Sequence, residues 1–103
     1  MKKKVKVLVV DDEAIIRESL RDWLSDVGHQ VLTAENGPQA LKIIQKEKPG
    51  IAIADLVMPE MDGIELMKRA KEILPNLGVI IITAYGSIPT AIAAMREGAY
   101  DYI

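Results

Sequence analysis

The chain has 103 residues, the size of one domain, with 50% hydrophobic and 27% charged side chains; that is ordinary for a fold that buries its core without staples. It contains no cysteine and a single histidine, His29, which excludes disulfides, thiolate metal sites, a thiol nucleophile and His-rich metal centres. Thirteen basic against fifteen acidic residues leave a net charge of −2, unlike the basic excess of a nucleic-acid binder, and no apolar run approaches a membrane span.

Met1–Lys4 is basic, but no apolar stretch with a small-residue cleavage site follows it, so a soluble cytoplasmic domain is expected rather than a secreted one. Val5, Val7, Leu8, Val9 and Val10 form a nearly continuous aliphatic run, which suits a strand covered on both faces. Ile16, Leu20, Trp23, Leu24 and Val27 recur at spacings of three and four and stop at Gly28, the pattern of an amphipathic helix ended by glycine. Gln30–Ala34 reads as a second strand. Pro38–Lys48 carries Ala40, Leu41 and Ile44 on one face, with proline near the helix start where it is tolerated.

Gly50–Ala54 is a third strand, followed by the loop Leu56–Gly63 and a helix over about Ile64–Leu74. Val79–Ile82 makes a fourth strand and Pro89–Glu97 a short alanine-rich helix ending at Gly98. Tyr100–Ile103 begins a fifth strand. Strands alternating with helices predict an α/β fold, a doubly wound parallel sheet with helices on both faces, as one domain over residues 1–103. Right-handed crossovers then gather the reactive groups at the carboxyl ends of the strands.

Three of those ends are polar. The first strand runs into Asp11-Asp12-Glu13, the third into Asp55 and the fourth into Thr83-Ala84. With the flavodoxin-like strand order 2-1-3-4-5, the first and third strands are neighbours and Asp11, Asp12 and Asp55 converge. Two carboxylates at 4 Å repel by roughly 4 kcal/mol at an effective dielectric of 20, so three ionised together ask for a cation. Oxygen-only ligands suit Mg²⁺ or Mn²⁺. Each carboxylate alone has a plainer role: Asp12 or Glu13 can cap the first helix, and Asp55 can open a loop.

The same turn is acidic where a nucleotide or flavin phosphate would need glycine or Ser/Thr with free N–H groups, and no glycine-rich phosphate motif occurs. His29 follows a helix, far from the strand ends, and reads as an ordinary exposed turn histidine rather than a catalytic base.

VLVVDDEAIIRESL (Val7–Leu20), IADLVMPEMDGIEL (Ile53–Leu66), IIITAYGS (Ile80–Ser87) and GAYDYI (Gly98–Ile103) resemble the receiver domain of bacterial two-component response regulators, over essentially the whole chain. The resemblance implies that Asp55 is the phosphoacceptor, taking a phosphoryl group from a sensor histidine kinase or a small acyl phosphate. It implies that Asp12 holds Mg²⁺ directly, Asp11 chiefly through water, and Val57 through its backbone carbonyl. Thr83 matches the switch hydroxyl that turns toward the phosphoryl group, beside the Ala84 N–H, and Tyr102 matches the aromatic coupled to that movement. Pro59 and Gly63 match the positions that shape the loop after the phosphorylation site. Such a domain is a phosphoacceptor, not an enzyme in the usual sense; it catalyses only its own phosphorylation and dephosphorylation.

Receivers of this type continue with a lysine two residues beyond Ile103, a proline and a fifth helix, so the chain reads as truncated before them. A bare sheet face is then expected, which a homodimer would hide. Thr83–Ile103 looks most like receivers of sigma-54-dependent activators, so ATPase and DNA-binding output would lie outside these residues, with no direct nucleic-acid contact and no membrane. Two rival readings remain: a receiver-fold interaction module that no longer turns over phosphate, and a metal-dependent phosphatase, which wants Asp-x-Asp where this chain has adjacent Asp11-Asp12.

Overall fold

The structure is a computed structural model; it describes residues 5–82 and the strand backbone at 101–102. Five strands, β1 (Lys6–Val10), β2 (Gln30–Ala34), β3 (Ile51–Asp55), β4 (Gly78–Ile82) and β5 (Asp101–Tyr102), form one sheet in the order β2-β1-β3-β4-β5. Every pairing is parallel. Among the described residues, three helices lie between them: α1 (Ala14–Asp26), α2 (Gly37–Glu47) and α3 (Gly63–Ile73). The strand order and the parallel sheet expected from the sequence are both present. The helix expected over Pro89–Glu97 lies outside the described residues. None of the described helices is long and apolar enough to cross a membrane.

The two-residue period of the strands divides the core. Leu8, Val10, Ala52, Ala54, Val79 and Ile81 point to one face and pack with Ala40 and Ile44 of α2 and Leu66, Met67 and Ala70 of α3. Val7 and Val9 point to the other face and meet Leu24 of α1, with Leu20, Val31 and Ile53 at the margin. This is why β1 is aliphatic without alternation: both of its faces are covered.

Helix α1 differs from its sequence pattern. Only Leu24 is buried, while Ile16, Val27 and Trp23 are exposed, the indole to 64%. Trp23 instead stands at the rim of an apolar groove of about 330 Å³ between α1 and the sheet, floored by Ile51, Ile53, Ile80 and Ile82. The helix stops because Gly28 takes φ +96°, a conformation open to glycine at no steric cost, after which the His29 N–H donates to the Leu24 carbonyl. His29 is not the exposed turn residue expected. It is half-buried, and its Nδ1 accepts the Val5 N–H at 3.3 Å, holding the chain just before β1.

Helix α2 starts where the Asn36 side chain accepts the Gln39 N–H at 2.8 Å, with Gln39 Oε1 accepting the Glu35 N–H in return. The Asn36 side chain thus caps one orphan donor of the first turn, while the Gln39 side chain reaches back to the residue before the cap. Helix α3 starts at Gly63, one residue before the sequence reading, because Asp62 Oδ1 accepts the Glu65 N–H at 2.8 Å.

Candidate acidic site at the strand ends

Parallel register sets the site. Val10 lies opposite both Ala34 and Ala54, so Asp11, the next residue, emerges level with Asp55 at the end of β3. The Asp11 N–H extends the ladder by donating to the Ala34 carbonyl at 3.2 Å. Its side chain is 2% exposed, the one buried charged group among the described residues. Asp11 Oδ1 accepts the Glu13 N–H at 2.9 Å, and its carbonyl accepts from Arg17 Nη1 at 2.8 Å. Asp12 is exposed and Asp55 half-buried. One carboxylate oxygen from each of Asp11, Asp12 and Asp55 lies within 4.8 Å of the others.

Of the plainer roles, Asp55 does open the loop, accepting the Val57 N–H, but the helix-capping role is not filled. Glu13 occupies the N-cap position of α1, and the helix has no side-chain cap bond there. The Asp11 turn bond to Glu13 engages Oδ1 alone among the described residues, and a carboxylate has further acceptor capacity.

Burial pushes the Asp11 carboxyl above its ordinary value. The Glu13 N–H opposes the shift, and the charges of Asp55, Asp12 and Glu13 reinforce it. Burial likewise raises Asp55, opposed by the Val57 and Leu56 N–H groups and reinforced by Asp12 and Glu13. Concentrated anionic oxygen of this kind fits a hard divalent cation, which would relieve the mutual repulsion. The three carboxylates could therefore hold a metal ion.

The loop from Leu56 to Asp62 is held from below by buried Leu56, Met58 and Met61. Glu60 takes φ +70°, and the Met61 N–H closes onto the Pro59 carbonyl at 2.7 Å. Gly63 donates to the Leu56 carbonyl at 2.9 Å, bringing the start of α3 back against the end of β3. Val57 is exposed, and its N–H donates to Asp55 Oδ1 at 3.3 Å. The Leu56 N–H donates to the Ile82 carbonyl at 3.1 Å, fastening the loop to the strand that leads into Thr83. Thr83 and Ala84 themselves lie outside the described residues, as does the side chain of Tyr102.

One participant escaped the sequence reading. Arg17 has a generic signature, a basic residue one turn into a helix, and only its contact with the Asp11 carbonyl distinguishes it.

Residues 7–103 match the family model described as the response regulator receiver domain. The sporulation initiation phosphotransferase F of Bacillus subtilis is 47% identical over 97 residues, covering 94% of this chain and 78% of that protein. The transcriptional regulatory protein GlrR of Escherichia coli is 39% identical over 101 residues, 98% of this chain. The chain spans only 23% of that regulator's length. Among solved structures, a receiver domain protein from Clostridium thermocellum superposes with a TM-score of 0.91 at 36% identity, covering 96% of this chain and 80% of that one. NtrX from Brucella abortus also gives 0.91 at 38% identity, with 98% and 23% coverage. A single family model across nearly the whole sequence leads to one assignment: the chain belongs to the response regulator receiver domain family.

Proposed function

We propose that the chain is a Mg²⁺-dependent phosphoacceptor in two-component signalling, with Asp55 receiving a phosphoryl group from the phosphohistidine of a sensor histidine kinase. The observation that carries this reading is the convergence of Asp11, Asp12 and Asp55 within 4.8 Å at adjoining strand ends. An oxygen of the Asp55 carboxylate attacks phosphorus in line. The P–N bond of the donor breaks, and its electron pair returns to the imidazole nitrogen. A carboxylate is a weak nucleophile, so the domain supplies position and charge balance rather than a general base.

Asp11, Asp12 and Asp55, with the Val57 carbonyl, are the residues proposed to hold Mg²⁺, and Mn²⁺ would serve in its place. The ion when bound neutralises negative charge on the phosphoryl oxygens. The Val57 N–H orients one Asp55 oxygen, leaving the other for phosphorus. Thr83 and the Ala84 N–H are assigned to bind the phosphoryl group, and Tyr102 to report that event on the surface. The new group carries a charge of about −2, enough to bias a two-state loop.

The relatives named as transcriptional regulators support an output in transcription, carried by chain beyond these residues; the resemblance of Thr83–Ile103 to receivers of sigma-54-dependent activators supports that type of output. Labelling with radioactive acetyl phosphate in Mg²⁺ tests the core of the reading. Acid-stable, base-labile label is expected on the wild-type chain and none on Asp55→Asn. Equal labelling of the variant would overturn Asp55 as acceptor.

A further inference from the structure

Arg17 occupies an unusual place for a basic side chain on a solvent-facing helix. Its side chain as a whole is only 16% exposed, although Glu18 and Ser19 beside it are exposed. Nη1 donates to the Asp11 carbonyl at 2.8 Å, and Nη2 lies 3.7 Å from Glu35 Oε1 in the segment between β2 and α2. The Arg17 N–H in turn donates to the Glu13 carbonyl at 3.1 Å. One residue thus grips both ends of the turn Asp11-Asp12-Glu13, through its side chain at the start and its backbone at the finish. Asp11 is pinned at every polar group described: N–H to Ala34, carboxylate to Glu13, carbonyl to Arg17.

We propose that Arg17 is a positioning residue for the acidic site, clamping the Asp11 carbonyl so that the turn presents the Asp11 and Asp12 carboxylates toward Asp55. This rests on reading the three carboxylates as a divalent-cation site. A planar guanidinium with fixed donors is suited to the task, because little freedom remains once its bonds form. The contact acts on ligand geometry from outside the ligand set, and loss of such supporting bonds typically weakens metal binding by about 10–100-fold.

The sign of the effect separates this role from simple electrostatics. Arg17 is itself a cation near an acidic cluster, and removing its charge alone should make a second cation bind more tightly. Removing a clamp should make it bind more weakly.

The test is Mg²⁺ titration of the full chain, followed by the amide shifts of Asp12 and Glu13. Arg17→Met is expected to weaken binding about tenfold, at the low end of that range, and to broaden the Asp12 and Glu13 amides even without metal. Arg17→Gln, a neutral donor, and Arg17→Lys, a charged one, should each recover part of the affinity. Urea midpoints for the three variants separate a loss of global stability from a local loss at the turn. Binding by Arg17→Met and Arg17→Gln as tight as wild type, or tighter, would overturn the proposal. An affinity that merely tracks the urea midpoints would overturn it as well. A wild-type chain that shows no saturable Mg²⁺ response would instead overturn the metal reading on which the proposal stands.

Discussion

A Cβ added to Gly63 would sit 2.5 Å from the Asp55 carbonyl oxygen and 3.1 Å from its carbonyl carbon. The first residue of α3 therefore touches the backbone of the proposed phosphoacceptor, and the atoms in the way are strand backbone, which cannot swing aside as a flexible side chain would. Gly63→Ala must shift either the helix or the strand. We expect a loss of about 1–3 kcal/mol, the usual cost of forced overpacking, read as a lower urea midpoint, with Mg²⁺ response reduced in the fraction that folds. An alanine variant of unchanged stability would show that the loop yields more easily than its hydrogen bond from Gly63 to Leu56 implies.

The carboxyls of Asp11 and Asp55 are both raised, chiefly by burial, so the folded chain retains protons that the unfolded chain has released. Stability contributed by these groups is complete below their unfolded-state value and is lost as pH rises through the raised folded-state value. At neutral pH without metal, the site thus works against the fold. Asp55→Asn removes one of the charges. It is expected to stabilise the metal-free chain at pH 7 by about 1 kcal/mol, the ordinary scale of one substitution, since Asp55 is only half-buried and solvent screens part of the repulsion. The advantage should shrink as pH falls toward the ordinary carboxylate value. Urea unfolding of both chains at pH 7 and pH 4 reads the difference; a variant no more stable at pH 7 would deny the repulsion.

The parallel sheet and the gathering of Asp11 and Asp55 at one sheet edge were legible in the sequence from its periods, whereas the order that makes their strands neighbours came from likeness to the flavodoxin-like fold. Continuous aliphatic strands announce a sheet covered on two faces, and the residues just past such strands share one edge. The three-and-four spacing in α1 was equally clear, yet Ile16, Trp23 and Val27 are exposed while Leu24 is buried. Spacing defines a stripe but not how wide a strip of sheet it meets, and here the helix lies chiefly over β1 and β2. Gly63 was legible as a turn glycine, but its close approach to Asp55 depends on where the loop returns in space. Arg17 was not legible at all, since its role lies in a contact with a backbone carbonyl.

His29 was read as a bare turn residue, and the structure gives it a specific state. Its Nδ1 accepts the Val5 N–H, so in the neutral ring the proton must sit on Nε2. Long-range nitrogen–proton spectra of the imidazole should show that tautomer. His29→Ala leaves the Val5 N–H without its acceptor and is expected to cost about 1 kcal/mol, with faster exchange of the Val5 amide. A ring carrying its proton on Nδ1 would exclude the bond.

Metal binding should reverse the penalty that the site imposes on the empty fold. A ligand that binds only the folded state stabilises it by RT ln(1 + [L]/Kd), about 1.4 kcal/mol at tenfold excess over Kd. Raising Mg²⁺ to that level should therefore lift the urea midpoint of the wild-type chain at pH 7. The increment should fall away at low pH, where protons compete for Asp11 and Asp55, the two carboxyls already raised by burial. Asp12→Ala is the sharper probe, because Asp12 is exposed and its side chain makes none of the hydrogen bonds that hold the β1–α1 turn. That variant should fold normally yet gain little from Mg²⁺. Equal gains in wild type and Asp12→Ala would place the ion elsewhere on the molecule.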